Sequence, residues 1–349
     1  MKALVIGLGG AGVSIAGHLK AKLIDDKTYD STTFRFIFVD TAGDARDRLQ
    51  KMYPHIPDLF NEFIDLGPCI PYQVYQANKP AWVSKPNLLL NRTLRDGAGA
   101  FRQQGRLALF WGRLTVEQKI NEAISSLLKE HAGKEHAGGD VDLVILPITS
   151  SCGGTGSSIF LDTLALIGTV HMQLVHRDPK VFPIIILPEF YISSQDPTTA
   201  EKYRANAFAF FQELSDVSVL QGAESGVERF LKDFSFLGGA TSLKSLYTLA
   251  FCVDTVTSEG RILNAPEPFY STVAEGLRAF LKIGLNELTT NLVNKVSELY
   301  HEEPQYRNVM GTLGVRACRF PTELFYRYLQ DRFVFEAFSA LLGPSLDEI

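Results

Sequence analysis

Three stretches of the chain are made of small residues that let backbone approach a ligand closely. The first, Gly7-Leu8-Gly9-Gly10-Ala11-Gly12, follows an apolar run (Ala3-Leu4-Val5-Ile6) and precedes Val13, Ala16, Leu19 and Leu23 at helical spacing. A helix beginning there presents unpaired amides and the positive end of its dipole, and glycines admit phosphate oxygens that a side chain would block. Asp40, closing a second apolar strand (Phe34 to Val39), can accept from a ribose hydroxyl. Alone, this turn suits a nucleotide, another small ligand or a purely structural bend. A further stretch, Gly97-Ala98-Gly99-Ala100, is followed by Gly105. The last, Ser150 to Ser158, offers consecutive amides and several hydroxyls, the composition of a di- or triphosphate nest. A dinucleotide enzyme needs one such turn. Three of them around one crevice prepare for more phosphate charge.

Gly153-Gly154-Thr155-Gly156-Ser157 resembles the GGTGS core of the tubulin and FtsZ signature loop. Gly97-Ala98-Gly99 with Gly105 has the spacing of that superfamily's γ-phosphate loop, and Gly7 to Gly12 matches its first phosphate loop. The resemblance covers about residues 1–255. The run Gly99 to Leu109 is closer to divergent bacterial tubulin-like proteins than to eukaryotic tubulin or FtsZ. Two positions depart from the signature: Ser158 stands for its final glycine and Cys152 for its first small residue.

What the resemblance implies is a GTP/GDP site with Mg²⁺ held through the nucleotide phosphates. Phosphate contacts would come from Gly9, Gly10, Ala11, Gly12, Gly97, Ala98, Gly99, Ala100, Ser151, Gly153, Gly154, Thr155, Gly156 and Ser157. Ribose would meet Glu201, with Glu189 as the alternative, while Asn206 either faces the nucleotide or caps a turn. For guanine, Asn264, Glu267, Phe269 and Tyr270 compete, the two aromatics also reading as core. Subunits of the family associate head to tail, with itself or a paralogue as partner. A GxxNxD loop of one subunit completes hydrolysis on the next. Here that loop is Gly284-Leu285-Asn286-Glu287-Leu288, one residue short, so Asn286 and Glu287 are the catalytic candidates. Glu287 orients water or caps the following helix. The alternatives are a nucleotide-binding scaffold that does not hydrolyse, and an NAD(P)-dependent enzyme that leaves the two later loops unemployed. Arg102 and Arg106, one helical turn apart, read as γ-phosphate sensors, interface residues or a solvated face.

The elements that must position these residues alternate between strand and helix, which predicts a doubly wound, mainly parallel α/β sheet. Strands are expected at 3–6, 34–39, 141–148, 182–187 and 246–253, and helices over 101–131, 199–214 and from Pro266 or Pro268 to about 282. Between Thr41 and Asp96, six prolines (54, 57, 68, 71, 80 and 86) forbid one long helix. The expected division is a nucleotide-binding domain at 1–263, a central helix at 264–283 and a reduced or partial C-terminal domain at 284–349, with a strand near 314–320. Net charge of −5 and pI near 5.9, with no basic tract, argue against a nucleic-acid partner. Four cysteines without a CxxC pair argue against a disulfide framework or zinc site. No apolar run of 18 residues and no leader are legible, so the expected location is cytoplasmic, without direct membrane insertion.

Overall fold

A computed structural model describes residues 2–56, 59–67, 97–129, 143–193, 195–218, 220–221, 224–225, 230, 245–256, 263, 265–282, 294–295, 298, 309–313, 327–328 and 330–334. The chain divides into two compact units, Met1–Val315 and Arg316–Ile349, and every element below belongs to the first. In chain order these are β1 (Lys2–Leu8), α1 (Gly9–Asp25), β2 (Phe34–Asp40), α2 (Ala45–Met52), α3 (Leu59–Glu62), β3 (Phe63–Asp65) and α4 (Arg102–Lys129). There follow β4 (Leu143–Ser150), α5 (Gly156–Val175), β5 (Lys180–Val181), β6 (Ile184–Ile186), α6 (Glu189–Ile192) and α7 (Pro197–Ser218). The set closes with β7 (Leu220–Gln221), β8 (Glu224–Ser225), β9 (Leu249–Val253), α8 (Pro266–Lys282) and β10 (Val309–Thr312).

All seven residues of β1 and all eight of β4 are buried, as strands covered on both faces must be. Their side chains alternate between two cores. Leu4, Ile6 and Ile145 pack under α4, α5 and α7, while Ala3, Val5, Leu146 and Ile148 pack under α1 and α8. The main sheet runs β10-β9-β6-β4-β1-β2-β3, with β5 also on β4, and every pairing in it is parallel. The expected doubly wound α/β class is what the chain adopts. The strand direction of winding reverses between β1 and β4, and open sheets of this kind bind ligands in the crevice above such a point.

Details of the elements differ from the sequence reading for local reasons. The strand expected over 182–187 is shorter, β6 at Ile184–Ile186, and a separate pair of residues, β5, precedes Phe182-Pro183 along β4. The strand expected near 314–320 lies outside the described residues. A different segment, β10, pairs with β9 from Val309↔Leu249 to Thr312↔Cys252. Among the described residues α5 is long and apolar enough to cross a membrane, yet 78% of its apolar window is buried in the fold.

One polar seam joins the first helix to the last. His18 of α1 donates from Nε2 to Glu267 of α8 at 2.9 Å, and its Nδ1 accepts from the hydroxyl of Tyr53. Farther along the same helices, Lys22 pairs with Glu275 at 3.4 Å, and Arg278 pairs with both Asp26 and Glu275. A neutral imidazole satisfies both of its neighbours at once. Burial holds the His18 ring below its ordinary value, opposed by the Glu267 charge. The folded state therefore favours the neutral ring, and its stability is fully present above the unfolded value and falls as protons are added. The melting temperature of wild type should fall between pH 7 and pH 5. His18→Asn should start lower and show a shallower slope over that interval, other titrating groups being common to both proteins.

Candidate functional site

The three small-residue loops meet at the C-terminal ends of β1, β2 and β4. Gly9, at φ +68°, starts α1 against the start of α5: a Cβ on Gly9 would lie 2.6 Å from the Gly156 nitrogen. A Cβ on Gly156 would in turn lie 2.5 Å from the Leu8 carbonyl oxygen. No side chain fits between the two turns. Gly12 faces the Ile148 carbonyl of β4 with equal closeness, which seats α1 flat on the sheet. The second loop joins them through Gly154, whose Cβ would fall 2.8 Å from the Ala100 nitrogen. It bends through left-handed backbone at Gly97 (φ +82°), Gly99 (φ +51°) and Ala100 (φ +62°).

Side-chain bonds then lock the three loops. The buried Thr41 hydroxyl accepts from the Ala98 amide at 3.0 Å and lies 2.6 Å from the Thr155 hydroxyl, touching the second and third loops at once. Asn206 of α7 donates its amide to the Ala100 carbonyl and the Cys152 carbonyl, both at 2.9 Å. Of its two readings, it braces the turns with its NH₂ group. Ser151 is directed elsewhere: its hydroxyl and its amide both donate to the Ile186 carbonyl at 3.0 Å, fastening the loop to β6. Ser157 donates to the Gly153 carbonyl, and Ser158 to the carbonyls of Gly154 and Thr155 at 2.8 Å.

What remains open is the space in front of Gly10 and Gly153. Gly10 is exposed, and among the described residues a Cβ there would meet only Asp40 Oδ2 at 3.8 Å, while a Cβ on Gly153 would meet nothing within 4 Å. Neither α1 nor α5 has a side-chain cap or an acidic residue in its first turn. Each helix end carries about half a positive charge, so the two together offer an anion about one unit. Ala11 lies in the same first turn of α1, though it is buried. Asp40 is buried beside them, and its Oδ1 accepts from the Thr41 amide at 2.7 Å. Burial pushes its carboxyl up, against the backbone amides that favour the charge.

The remaining candidates fall into place around this centre. Arg102 donates to the Ser157 hydroxyl at 3.2 Å, to the Ser157 carbonyl at 3.0 Å and to Glu213 of α7 at 2.9 Å. Arg106 is paired with Asp162 through Nε at 2.7 Å and Nη2 at 3.2 Å. Both arginines are thus bracing residues between helices. Cys152 is 1% exposed and burial pushes its thiol up to about 11, so it offers no thiolate nucleophile. Glu201 and Glu189 are both exposed. Phe269 is core, stacked on Phe190 at 4.6 Å, and Tyr270 bonds Tyr191 hydroxyl to hydroxyl at 3.1 Å. Glu267 is taken by His18. Asn264, Asn286 and Glu287 lie outside the described residues. Sequence reasoning missed Thr41, Asp162 and Glu213, whose partners stand 114, 56 and 111 positions away.

The profile of a family described as "Tubulin like" matches residues 4–339. The chain belongs to that family. No curated protein matches it. Among solved structures, CetZ from Methanosaeta thermophila strain DSM 6194 is 16% identical with a TM-score of 0.48, over 89% of this chain and 61% of that one. CetZ2 from Haloferax volcanii, in a GTPγS-bound protofilament, is 16% identical with a TM-score of 0.44, over 83% and 62%. TubZ of Clostridium botulinum phage c-st is 11% identical with a TM-score of 0.41, over 80% and 60%. This tubulin-like chain therefore spans about three fifths of the length of those proteins.

Two sets of substitutions separate the open faces of the loops from their scaffold. Gly10→Ala and Gly153→Ala place a methyl in open space, so the melting temperature should hold. Gly12→Ala and Gly156→Ala drive a methyl into backbone and should fail to give folded protein. Asp162 is 1% exposed, and burial pushes its carboxyl up to about 6 against the pull of Arg106. Asp162→Ala removes the buried carboxylate that holds the Arg106 guanidinium and should cost about 3–5 kcal/mol by urea unfolding, with Asp162→Asn milder.

Proposed function

We propose that this chain binds GTP or GDP with its phosphates over the open faces of Gly10 and Gly153, and assembles head to tail through that end. The observation that supports this most directly is the meeting of two uncapped helix N-termini, locked to a third loop, around glycines that face empty space. The sheet order alone is also that of a dinucleotide fold. The added loop pair, and membership of the tubulin-like family, favour a nucleoside di- or triphosphate over NAD(P). Residues 1–263 would carry the nucleotide, α8 would serve as the central helix, and the remaining segment would belong to a second domain.

Mg²⁺, when bound with the nucleotide, neutralises charge between phosphate oxygens. The residues present fit a phosphate-held ion. Among the described residues no group of three or more His, Cys, Asp or Glu could cage a metal, and Asp40 is the carboxylate that reaches the start of α1. The chain's own contribution is then fixed amides: Gly10, Ala11 and Gly12 from α1, Gly97, Gly99 and Ala100 from the second loop, where the Ala98 amide is taken by Thr41, and Gly153 to Ser157 from the third. Their positions are set before ligand arrives, so no reorganisation opposes charge stabilisation. Glu201 supplies the ribose contact. Glu287 and Asn286 of a neighbouring subunit complete hydrolysis by orienting water, so that turnover is coupled to contact between subunits.

Nucleotide released from purified, heat-denatured protein and identified by chromatography should be GDP or GTP; NAD would overturn the reading. Light scattering should rise with GTP and stay low with GDP or without nucleotide. Flat traces at high protein concentration would remove the filament. Phosphate release should fall in Glu287→Ala, whereas equal background rates in both proteins would leave a non-hydrolysing scaffold.

A further inference from the structure

Thr41 joins two of the loops from behind, wholly buried just past the end of β2. Its hydroxyl accepts from the Ala98 amide of the second loop at 3.0 Å and lies 2.6 Å from the Thr155 hydroxyl of the third. Thr155 in turn bonds Asp40, the carboxylate beside the open face of Gly10. An amide only donates, and an ionised carboxylate only accepts. The chain therefore has one direction: Ala98 amide to Thr41, Thr41 to Thr155, Thr155 to Asp40. Each hydroxyl in it both donates and accepts, so removing one leaves buried groups unpaired on either side.

The three loops are not held alike. The first and third follow the central strands β1 and β4, and their backbones approach closely at Gly9 and Gly156. The second runs through left-handed backbone at Gly97, Gly99 and Ala100, and Thr41 is the residue that takes its Ala98 amide. It lies over the turn after β2, where a Cβ on Gly97 would stand 3.5 Å from the Ala42 side chain. The ends of α1 and α5 together offer an anion about one unit of positive charge, and that offer does not depend on Thr41. Each phosphate beyond the first brings further negative charge, which the amides of the second loop remain to meet.

We infer that Thr41 is the positioning residue that sets how much this site gains from each added phosphate, by holding the second loop's amides in place beside those of the third. The inference rests on the nucleotide reading above. Competition against a fluorescent GDP on the full chain tests it, with GMP and GTPγS as competitors and wild type, Thr41→Val and Thr41→Ser as the proteins. Thr41→Val keeps the volume and removes the hydroxyl; its ratio of GTPγS to GMP affinity should fall at least about tenfold, through GTPγS. Thr41→Ser keeps the hydroxyl and should hold the ratio within about twofold of wild type. A residue that only supports the fold lowers both affinities together and leaves the ratio alone. If Thr41→Val gives no folded protein, Thr41→Cys, whose thiol accepts weakly, should show the fall instead. Wild type that binds no fluorescent GDP would overturn the nucleotide reading and this inference with it. Where wild type binds, a ratio unchanged in Thr41→Val or Thr41→Cys, or lost equally in Thr41→Ser, overturns this inference alone.

Discussion

Where α1 and α5 begin, their backbones touch, and this approach governs everything built around it. A single carbon added at Gly9 or Gly156 would lie 2.5–2.6 Å from a backbone atom of the other turn, far inside van der Waals contact. The separation is smaller than any side chain permits, so it can be made only from glycine. The consequence is electrostatic. Two helices that would ordinarily present their positive ends to separate patches of solvent present them side by side, without an acidic residue or a side-chain cap to offset either. The field of one end alone is weak and easily screened. Two ends within a few ångströms, over a buried floor, reinforce one another in a region where water competes poorly.

Such a site has to be held open against its own electrostatics, and the surrounding polar contacts do that. Thr41, Asn206 and Ser151 spend their hydrogen-bonding groups on loop backbone, so none of the three swings freely. Asn206 grips the carbonyl of Ala100, a residue in left-handed backbone without the glycine that would make that conformation easy. The strain at Ala100 is thus offset by a bond from a helix more than a hundred residues later. Gly105 closes the arrangement from α4, where its missing side chain lets the helix rest on the Ser158 hydroxyl and the Gly154 carbonyl.

Much of this was legible in the sequence, because glycine turns between apolar strands and helices carry their meaning locally. The parallel sheet, the three loops and the core role open to Phe269 and Tyr270 follow from residue type and immediate neighbours. What was not legible depends on pairing across the chain. Thr41 is an unremarkable threonine until the fold brings Ala98 and Thr155 to it. Arg102 and Arg106 read equally well as ligand contacts or as a solvated face, since nothing near them in sequence announces Glu213 or Asp162.

The arginine pairings change how the loops connect to the rest of the molecule. Had Arg102 and Arg106 faced a ligand, α4 would be a binding element. Instead Arg102 ties α4 to the third loop and to α7, while Arg106, one helical turn on, ties it to α5, so the start of α4 is cross-linked to three other elements. Asp162 is deep enough that burial alone would neutralise it, and the guanidinium is what keeps a charged form within reach of neutral pH. These bonds seat the start of α4 against the third loop, so the helix that Gly105 brings close to that loop is also the one whose arginines hold it there.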